Sequence, residues 1–314
     1  MNYLAVIDLG SNSTRMVIEE LDESGQFTEI KHRKIDTRMA QGMDQNGGNL
    51  TSDAMKRVLE ALVIFQKEYE AYPEIEIEGI ATAAVREANN QADFLAQVYD
   101  TIGVDIRVLT GDQEAYYDYL GAMCALDVDN AWLLDTGGAS VELVGIEDRM
   151  AANFISLPFG AVNLSEKFQL NEDTIDADKL EAATDYVETQ YERLPWINEA
   201  QEAEALPIIL LGGANRSLAR LDRLRQGYDM SQDFHGYTMS ADAVLKTFHE
   251  MTNASRQERE AVLGEEANRA DIIVSGLLPL MALIQATNAK EVIFSASGVR
   301  EGLLQEYRMS LDSE

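Results

Sequence analysis

Apolar and polar positions alternate through the start of the chain with the two-residue period of a strand. Residues 3–9, 14–20 and 27–38 are rich in β-branched side chains and read as a three-stranded meander, broken at Asp22-Glu23-Ser24-Gly25. A loop from Gly42 to Gly48 carries Asp44, Asn46 and Gly47. The period then lengthens. Val58, Leu62 and Phe65 share one helical face behind Thr51 or Ser52 as the cap. Ile75 to Ala83 is a strand running into a loop at Thr82 to Arg86, 91–101 a helix, 105–109 a strand, and a helix opens after Gly111. After Trp132 the order begins again. Strands are predicted at 131–135, 140–147 and 150–157, helices over 161–195, and a strand at 207–211. The chain next turns through Gly212-Gly213-Ala214-Asn215 into a helix. Helices at 240–251, 256–262 and 267–287, a strand at 292–296 and a final helix from Val299 complete the pattern.

The renewed order has a match at residue level. With Asp8 set on Asp135, Gly10 falls on Gly137, Ser13 on Ser140, Met16 on Leu143 and Val17 on Val144. Each stretch reads strand, tight turn, strand. The aspartate sits where the chain leaves the sheet, so its carboxylate can face a metal ion. The glycines let backbone N–H groups approach a phosphate closely. Two such loops facing each other across a cleft would grip a polyphosphate from both sides; the plain alternative is two unrelated hairpins.

Composition narrows the function. A chain of 314 residues that is 46% hydrophobic suits two domains of ordinary size. Cys124 is the single cysteine and the three histidines are scattered, so neither a disulfide nor a zinc pattern is present. The N-terminus runs straight into a strand, and no apolar run is long enough to span a bilayer, which predicts a cytoplasmic protein without membrane contact. A net charge of −30 argues against binding a nucleic-acid polymer. Any phosphate site must therefore be locally basic on an acidic body. Lys31, His32, Arg33, Lys34 and Arg38 form one basic cluster, which is also compatible with an ordinary strand edge. Arg15, Arg86, Arg216, Arg269 and Arg300 lie in or beside the motifs. Acidic residues gather in 172–188 and 199–204, as solvated helix faces.

The stretches 8–15 and 135–140 resemble the exopolyphosphatase/guanosine pentaphosphate phosphohydrolase (Ppx/GppA) family. So do 81–90, 109–115, 157–162, 211–213, 269–273 and 298–304, in order over nearly the whole chain. The resemblance implies an α/β fold of two actin-like (ribonuclease H-like) domains, each a mixed sheet flanked by helices, with an interdomain cleft. The domains would be 1–122 and 123–298, and the helix 299–314 would return to the first. Longer members carry further C-terminal helical domains, so shorter polyphosphates or nucleotides are the expected substrates here.

Glu114 follows the strand 106–109 in the first turn of a helix. The resemblance makes it the catalytic base that accepts a proton from the attacking water. Alternatively it is an acid favoured by the helix dipole, although Asp112 fits that part better, as a cap. Asp135 is the expected Mg²⁺ contact and catalytic partner, with Glu142 as the hairpin's second acid and Asp8 as the pseudo-equivalent of Asp135. Phosphates would rest on Gly10, Ser11, Asn12 and Ser13 beside Arg15, and on Gly137, Gly138, Ala139 and Ser140. Gly212 and Gly213 form a third glycine turn opening a helix, an anion site. Arg86 either forks onto phosphate or forms a structural ion pair with Glu87 or Asp93. Two residues depart from the family pattern. Ala139 replaces a third loop glycine, tolerable if φ is negative there or the phosphate sits slightly farther off, and Asn163 replaces an arginine.

The expected activity is Mg²⁺-dependent hydrolysis of terminal phosphoanhydride bonds in inorganic polyphosphate or guanosine pentaphosphate. A non-catalytic sensor of polyphosphate or guanosine tetraphosphate is the alternative, motivated by Ala139 and Asn163. A kinase is a more remote possibility, since no adenosine signature accompanies Gly212-Gly213. The resemblance also makes a homodimer plausible.

Overall fold

The computed structural model describes residues 2–22, 26–199 and 205–311. The predicted break at Glu23-Ser24-Gly25 and residues 200–204 of the acidic segment lie outside the described residues. The chain forms two compact units, Met1–Glu114 with Leu303–Glu314, and Ala115–Gly302.

The first unit is built on a five-stranded sheet of order β3-β2-β1-β4-β5. β1 (Asn2–Leu9) and β2 (Thr14–Leu21) pair antiparallel, as do β2 and β3 (Phe27–Ile35). β4 (Glu76–Ala81) lies parallel to β1, and β5 (Ile106–Val108) parallel to β4. Leu4, Val6, Ile7 and Leu9 of the central β1 are all buried, which explains why this strand reads as a continuous apolar run. At the edge, β3 is largely exposed and heavily charged, a composition that discourages pairing with another chain. Helix α1 (Ser52–Tyr69) buries Val58, Leu62 and Phe65 as its period predicts. Its cap is Thr51, whose Oγ1 accepts the Ala54 N–H at 3.2 Å. The short α2 (Ala83–Arg86) and α3 (Gln91–Ile102) follow. Helix α4 (Gly111–Ala125) passes from the first unit into the second.

The second unit repeats this plan in a six-stranded sheet of order β10-β11-β9-β6-β7-β8. Its strands are β6 (Ala131–Thr136), β7 (Val141–Glu147), β8 (Met150–Leu157), β9 (Ile208–Gly212), β10 (Thr238–Ser240) and β11 (Glu291–Phe294). β6, β7 and β8 form the antiparallel meander, while β9 and β11 run parallel beside β6. Without β10, each strand has a counterpart in the first sheet. The three-residue β10 has no strand pattern of its own, because it is held only by antiparallel pairing to β11.

Helices α5 (Ala161–Lys167), α6 (Ala177–Glu192), α7 (Pro195–Glu199), α8 (Gly213–Arg225), α9 (Ala241–Asn253), α10 (Arg256–Leu263) and α11 (Ile273–Thr287) complete the second unit. The helical run predicted over 161–195 is thus interrupted. So is 267–287, where a 3₁₀ turn (Gly264–Arg269) precedes α11. Arg259 explains the second break. Its fully buried guanidinium donates to the carbonyls of Ala270, Ala254 and Glu172 at 2.8–2.9 Å, and the Ala270 carbonyl is one that an unbroken helix would have used. Burial pulls its pKa below the ordinary arginine range. Helix α11 is buried on nearly every side and serves as the unit's central rod. Among the described residues, no single helix is long and apolar enough to cross a membrane. The final helix, α12 (Val299–Leu311), contributes its last turns to the first unit, where the Tyr307 hydroxyl donates to Glu76 and its ring meets Phe27 edge-on.

Candidate functional site

The two hairpins share one register and one turn hydrogen bond where the sequence aligns them. Asp8 lies directly across from Arg15, and Gly10 N–H closes the turn onto Ser13 O at 3.2 Å. In the second unit Asp135 lies across from Glu142, and Gly137 N–H donates to Ser140 O at 3.0 Å.

The loops between these strands hold their peptides in one orientation. In a trans peptide, the C=O and the N–H that follows point in opposite directions. The Gly137 carbonyl accepts from Ala161 N–H at 2.9 Å and the Gly138 carbonyl from Val162 N–H at 2.8 Å. The Ala139 carbonyl accepts from the Asn163 side-chain amide at 3.2 Å. With all three carbonyls turned to α5, the N–H groups of Gly138, Ala139 and Ser140 point away from it. In the first loop, the Ser11 carbonyl accepts from Ala40 N–H at 2.8 Å and the Asn12 carbonyl from Arg38 N–H at 2.9 Å. The N–H groups of Asn12 and Ser13 are turned outward in the same manner. Among the described residues these five N–H groups donate to no backbone carbonyl. Successive parallel N–H groups form a concavity that binds anions. None of residues 137–140 has positive φ, so Ala139 meets the condition its Cβ imposes.

The hydroxyls have separate tasks. Ser11 Oγ accepts the Ala84 N–H at 3.2 Å and so caps α2, whereas Ser13 Oγ accepts from Arg15 Nε at 3.2 Å. Gly160 packs tightly on the second loop: a Cβ there would fall 2.7 Å from Gly137 O and 2.8 Å from Ala139 N.

Glu114 is buried in the first turn of α4, and its Oε2 accepts from Arg86 Nη1 at 2.8 Å. The same Nη1 donates to Leu109 O at 3.1 Å, and Nε to Glu87 at 3.3 Å. Arg86 therefore forms the Glu87 ion pair anticipated as one alternative, and with it a closer one to Glu114 that the sequence did not reveal. Asp112 is not the helix cap. Thr110 Oγ1 accepts from Gln113 N–H at 3.2 Å while Gln113 Oε1 accepts from Thr110 N–H at 2.9 Å, a reciprocal capping box.

The third glycine turn lies against the second hairpin. Gly212 pairs with Thr136 in the parallel ladder and adopts φ +92°, and a Cβ on it would come within 2.6 Å of Asp135 Oδ1. Gly213 opens α8 with the buried Arg269 guanidinium laid directly on it, where any side chain would overlap. A guanidinium beside a helix N-terminus makes this turn electropositive.

Asp135 and Glu142 offer hard oxygen donors from adjacent strands, and Ser156 Oγ orients Glu142 Oε1 at 2.7 Å. That donor set suits Mg²⁺, which takes one or two carboxylates and completes its shell with water and phosphate. Among the described residues, no three His, Cys, Asp or Glu side chains gather into a metal-holding group. At the position corresponding to Glu142, the first unit has Arg15, so Asp8 faces a fixed cation instead of a second acid.

The basic cluster of β3 behaves as a strand edge: Lys31 and Arg33 pair with Glu68 at 3.3 and 3.6 Å, and Lys34 with Asp36 at 3.2 Å. Asn163 has a part in the loop that the sequence hid. Its side chain also accepts the Gly160 N–H at 2.6 Å, and a polar residue at the third position of a helix is the available signal for such a back-bond.

Comparison with known proteins agrees with this geometry. The Ppx/GppA phosphatase family matches residues 16–310. A guanosine-5'-triphosphate,3'-diphosphate pyrophosphatase of Vibrio cholerae is 29% identical over 321 residues, covering 99% of this chain and 60% of the relative. The chain thus spans 60% of the length of the curated relatives it matches. A solved Ppx/GppA family member from Aquifex aeolicus is 26% identical with TM-score 0.78, each chain covered to 98%. An exopolyphosphatase from Cytophaga hutchinsonii has TM-score 0.86 at 19% identity, again with 98% of each chain covered, and shares the fold. The expected actin-like plan, a mixed sheet flanked by helices in each of two units, is therefore the observed one. With the motifs, the duplicated sheet order and the family match over most of its length, the chain belongs to the Ppx/GppA phosphatase family.

Proposed function

We propose that the chain hydrolyses terminal phosphoanhydride bonds, releasing orthophosphate from inorganic polyphosphate or from guanosine pentaphosphate. The observation that carries this reading is the pair of loops at 10–13 and 137–140, whose carbonyls are tied back so that rows of N–H groups face outward. Such rows bind phosphate oxygens by charge-assisted hydrogen bonds. The family membership and the named activity of the Vibrio cholerae relative support phosphoanhydrides as the substrate class.

In the first unit, Glu114 is the general base that takes the proton of the attacking water, and Arg86 fixes its carboxylate through Oε2. Loop 10–13 and Arg15 hold phosphate oxygens. In the second unit, loop 137–140 and the turn Gly212-Gly213 hold phosphate, and Asp135 with Glu142 would hold Mg²⁺. The ion would supply neutralisation of charge on the phosphoryl oxygens.

The test is phosphate release from tripolyphosphate, long-chain polyphosphate and guanosine pentaphosphate with and without Mg²⁺, wild type against Glu114→Gln. Loss of a general base lowers turnover by roughly 10²–10⁴-fold. Turnover that survives in Glu114→Gln would reject the assigned base, and no release from any of the three substrates would reject the activity. The sensor reading loses its motive, since Ala139 fits its backbone and Asn163 braces the loop.

A further inference from the structure

Gly137 and Gly138 have their carbonyls held by the first backbone N–H groups of α5, whereas the third carbonyl, of Ala139, is held by the Asn163 side chain. The two bonds of this amide fix its orientation. Oδ1 accepts from Gly160 N–H at 2.6 Å and Nδ2 donates to Ala139 O at 3.2 Å; the flipped amide would set donor against donor and acceptor against acceptor. Gly160 in turn packs against Gly137, Gly138 and Ala139, so the asparagine joins both sides of one tight contact.

We infer that Asn163 is the positioning residue of the second phosphate loop: by holding the Ala139 carbonyl toward α5 it turns the Ser140 N–H outward, and so sets the third donor offered to a phosphate oxygen. This rests on the phosphate-binding reading of the loop given above. Without the amide, the 139–140 peptide can rotate. Its carbonyl then faces the anion, replacing an attraction by a repulsion. Ala139 limits that rotation through its Cβ, whereas glycine would permit it. The two residues therefore act as a pair, and the loop has two safeguards on the same peptide.

The experiment compares wild type, Asn163→Ala, Ala139→Gly and the double variant. Readouts are tripolyphosphate hydrolysis in Mg²⁺ and hydrogen–deuterium exchange of the peptide spanning 137–143, with and without tripolyphosphate. Asn163→Ala should raise KM about 5-fold, the worth of one neutral hydrogen bond, with kcat changed by less than about 3-fold. Tripolyphosphate should protect the 137–143 peptide in wild type and protect it less in Asn163→Ala. Ala139→Gly alone should raise KM less than Asn163→Ala does, and the double variant should exceed the product of the two single effects.

Unchanged KM and unchanged protection in Asn163→Ala would overturn the inference. So would faster exchange throughout α5 with KM and the tripolyphosphate protection of 137–143 left as in wild type, the mark of a purely structural cap. Asn163→Asp keeps the acceptor for Gly160 and loses the donor to Ala139; full tripolyphosphate affinity in that variant at high salt, where its added charge is screened, would also overturn it. Failure of the proposed activity is separately visible: wild type would then release no phosphate, while the exchange of 137–143 would still report whether Asn163 holds the loop.

Discussion

Replacing Gly212 by alanine tests how closely the third glycine turn is built onto the second hairpin. At φ +92° and ψ 165°, Gly212 occupies a backbone region that is nearly glycine-only. An L-residue there costs about 1–3 kcal/mol. The added methyl would lie 2.6 Å from Asp135 Oδ1, inside the 3.0 Å that Cβ contacts essentially never breach, and would overlap the Thr136 carbonyl oxygen. That oxygen belongs to the backbone at the end of the β6 ladders and is not the far end of a flexible side chain. Overpacking of this kind adds about 1–3 kcal/mol. A total near 4 kcal/mol lowers the melting temperature of a unit of this size by roughly 8–16 °C. Tryptophan fluorescence reads the right unit, because the chain's two tryptophans, Trp132 and Trp196, are stacked in the second one with centroids 5.7 Å apart. Gly227→Ala is the control: its φ is +76° but nothing lies within 4 Å of the new Cβ. It should cost only the backbone share, about 1 kcal/mol. A Gly212→Ala melting temperature within 2 °C of wild type, or equal to that of Gly227→Ala, would refute the steric argument.

Two further expectations concern the first unit. Arg86→Met leaves the Glu114 carboxylate buried without its 2.8 Å partner, and should cost about 2–3 kcal/mol in stability and about 10²-fold in kcat for phosphate release; full kcat would show that Arg86 does not position the base. Burial, aided by the hydrogen bond to Glu76, pushes the Tyr307 hydroxyl up to about 12, from 10.0. A raised folded-state pKa contributes stability that is complete below pH 10 and lost as pH climbs through 12. Urea unfolding between those values should therefore decline less in Tyr307→Phe than in wild type, and parallel curves would count against it.

Much of this architecture could be read from the amino-acid string. Asp8 and Asp135 stand out because acid, glycine and serine recur at one spacing, and that spacing is the strand-turn-strand register itself. Helix α1 was equally plain, since one face of Val58, Leu62 and Phe65 packs on the sheet. The break before α11 was hidden, because Arg259 reaches the Ala270 carbonyl from a separate helix. Asn163 shows the same limit at the site. A sequence displays the charge a side chain lacks, and hides the carbonyl it faces. Arg86 was legible as a cation near a motif, but its partner Glu114 lies on another element and became visible only with the fold.

The hairpins differ at one informative place, the residue opposite the loop acid: Arg15 in one half, Glu142 in the other. Two identical subunits would have to carry the same residue at both positions, and so could not specialise. Joining the halves in one gene product removes that restriction. One copy keeps a permanent cation beside its loop acid while the other sets a second carboxylate there, so a single substitution can alter the charge of one half and leave the other untouched.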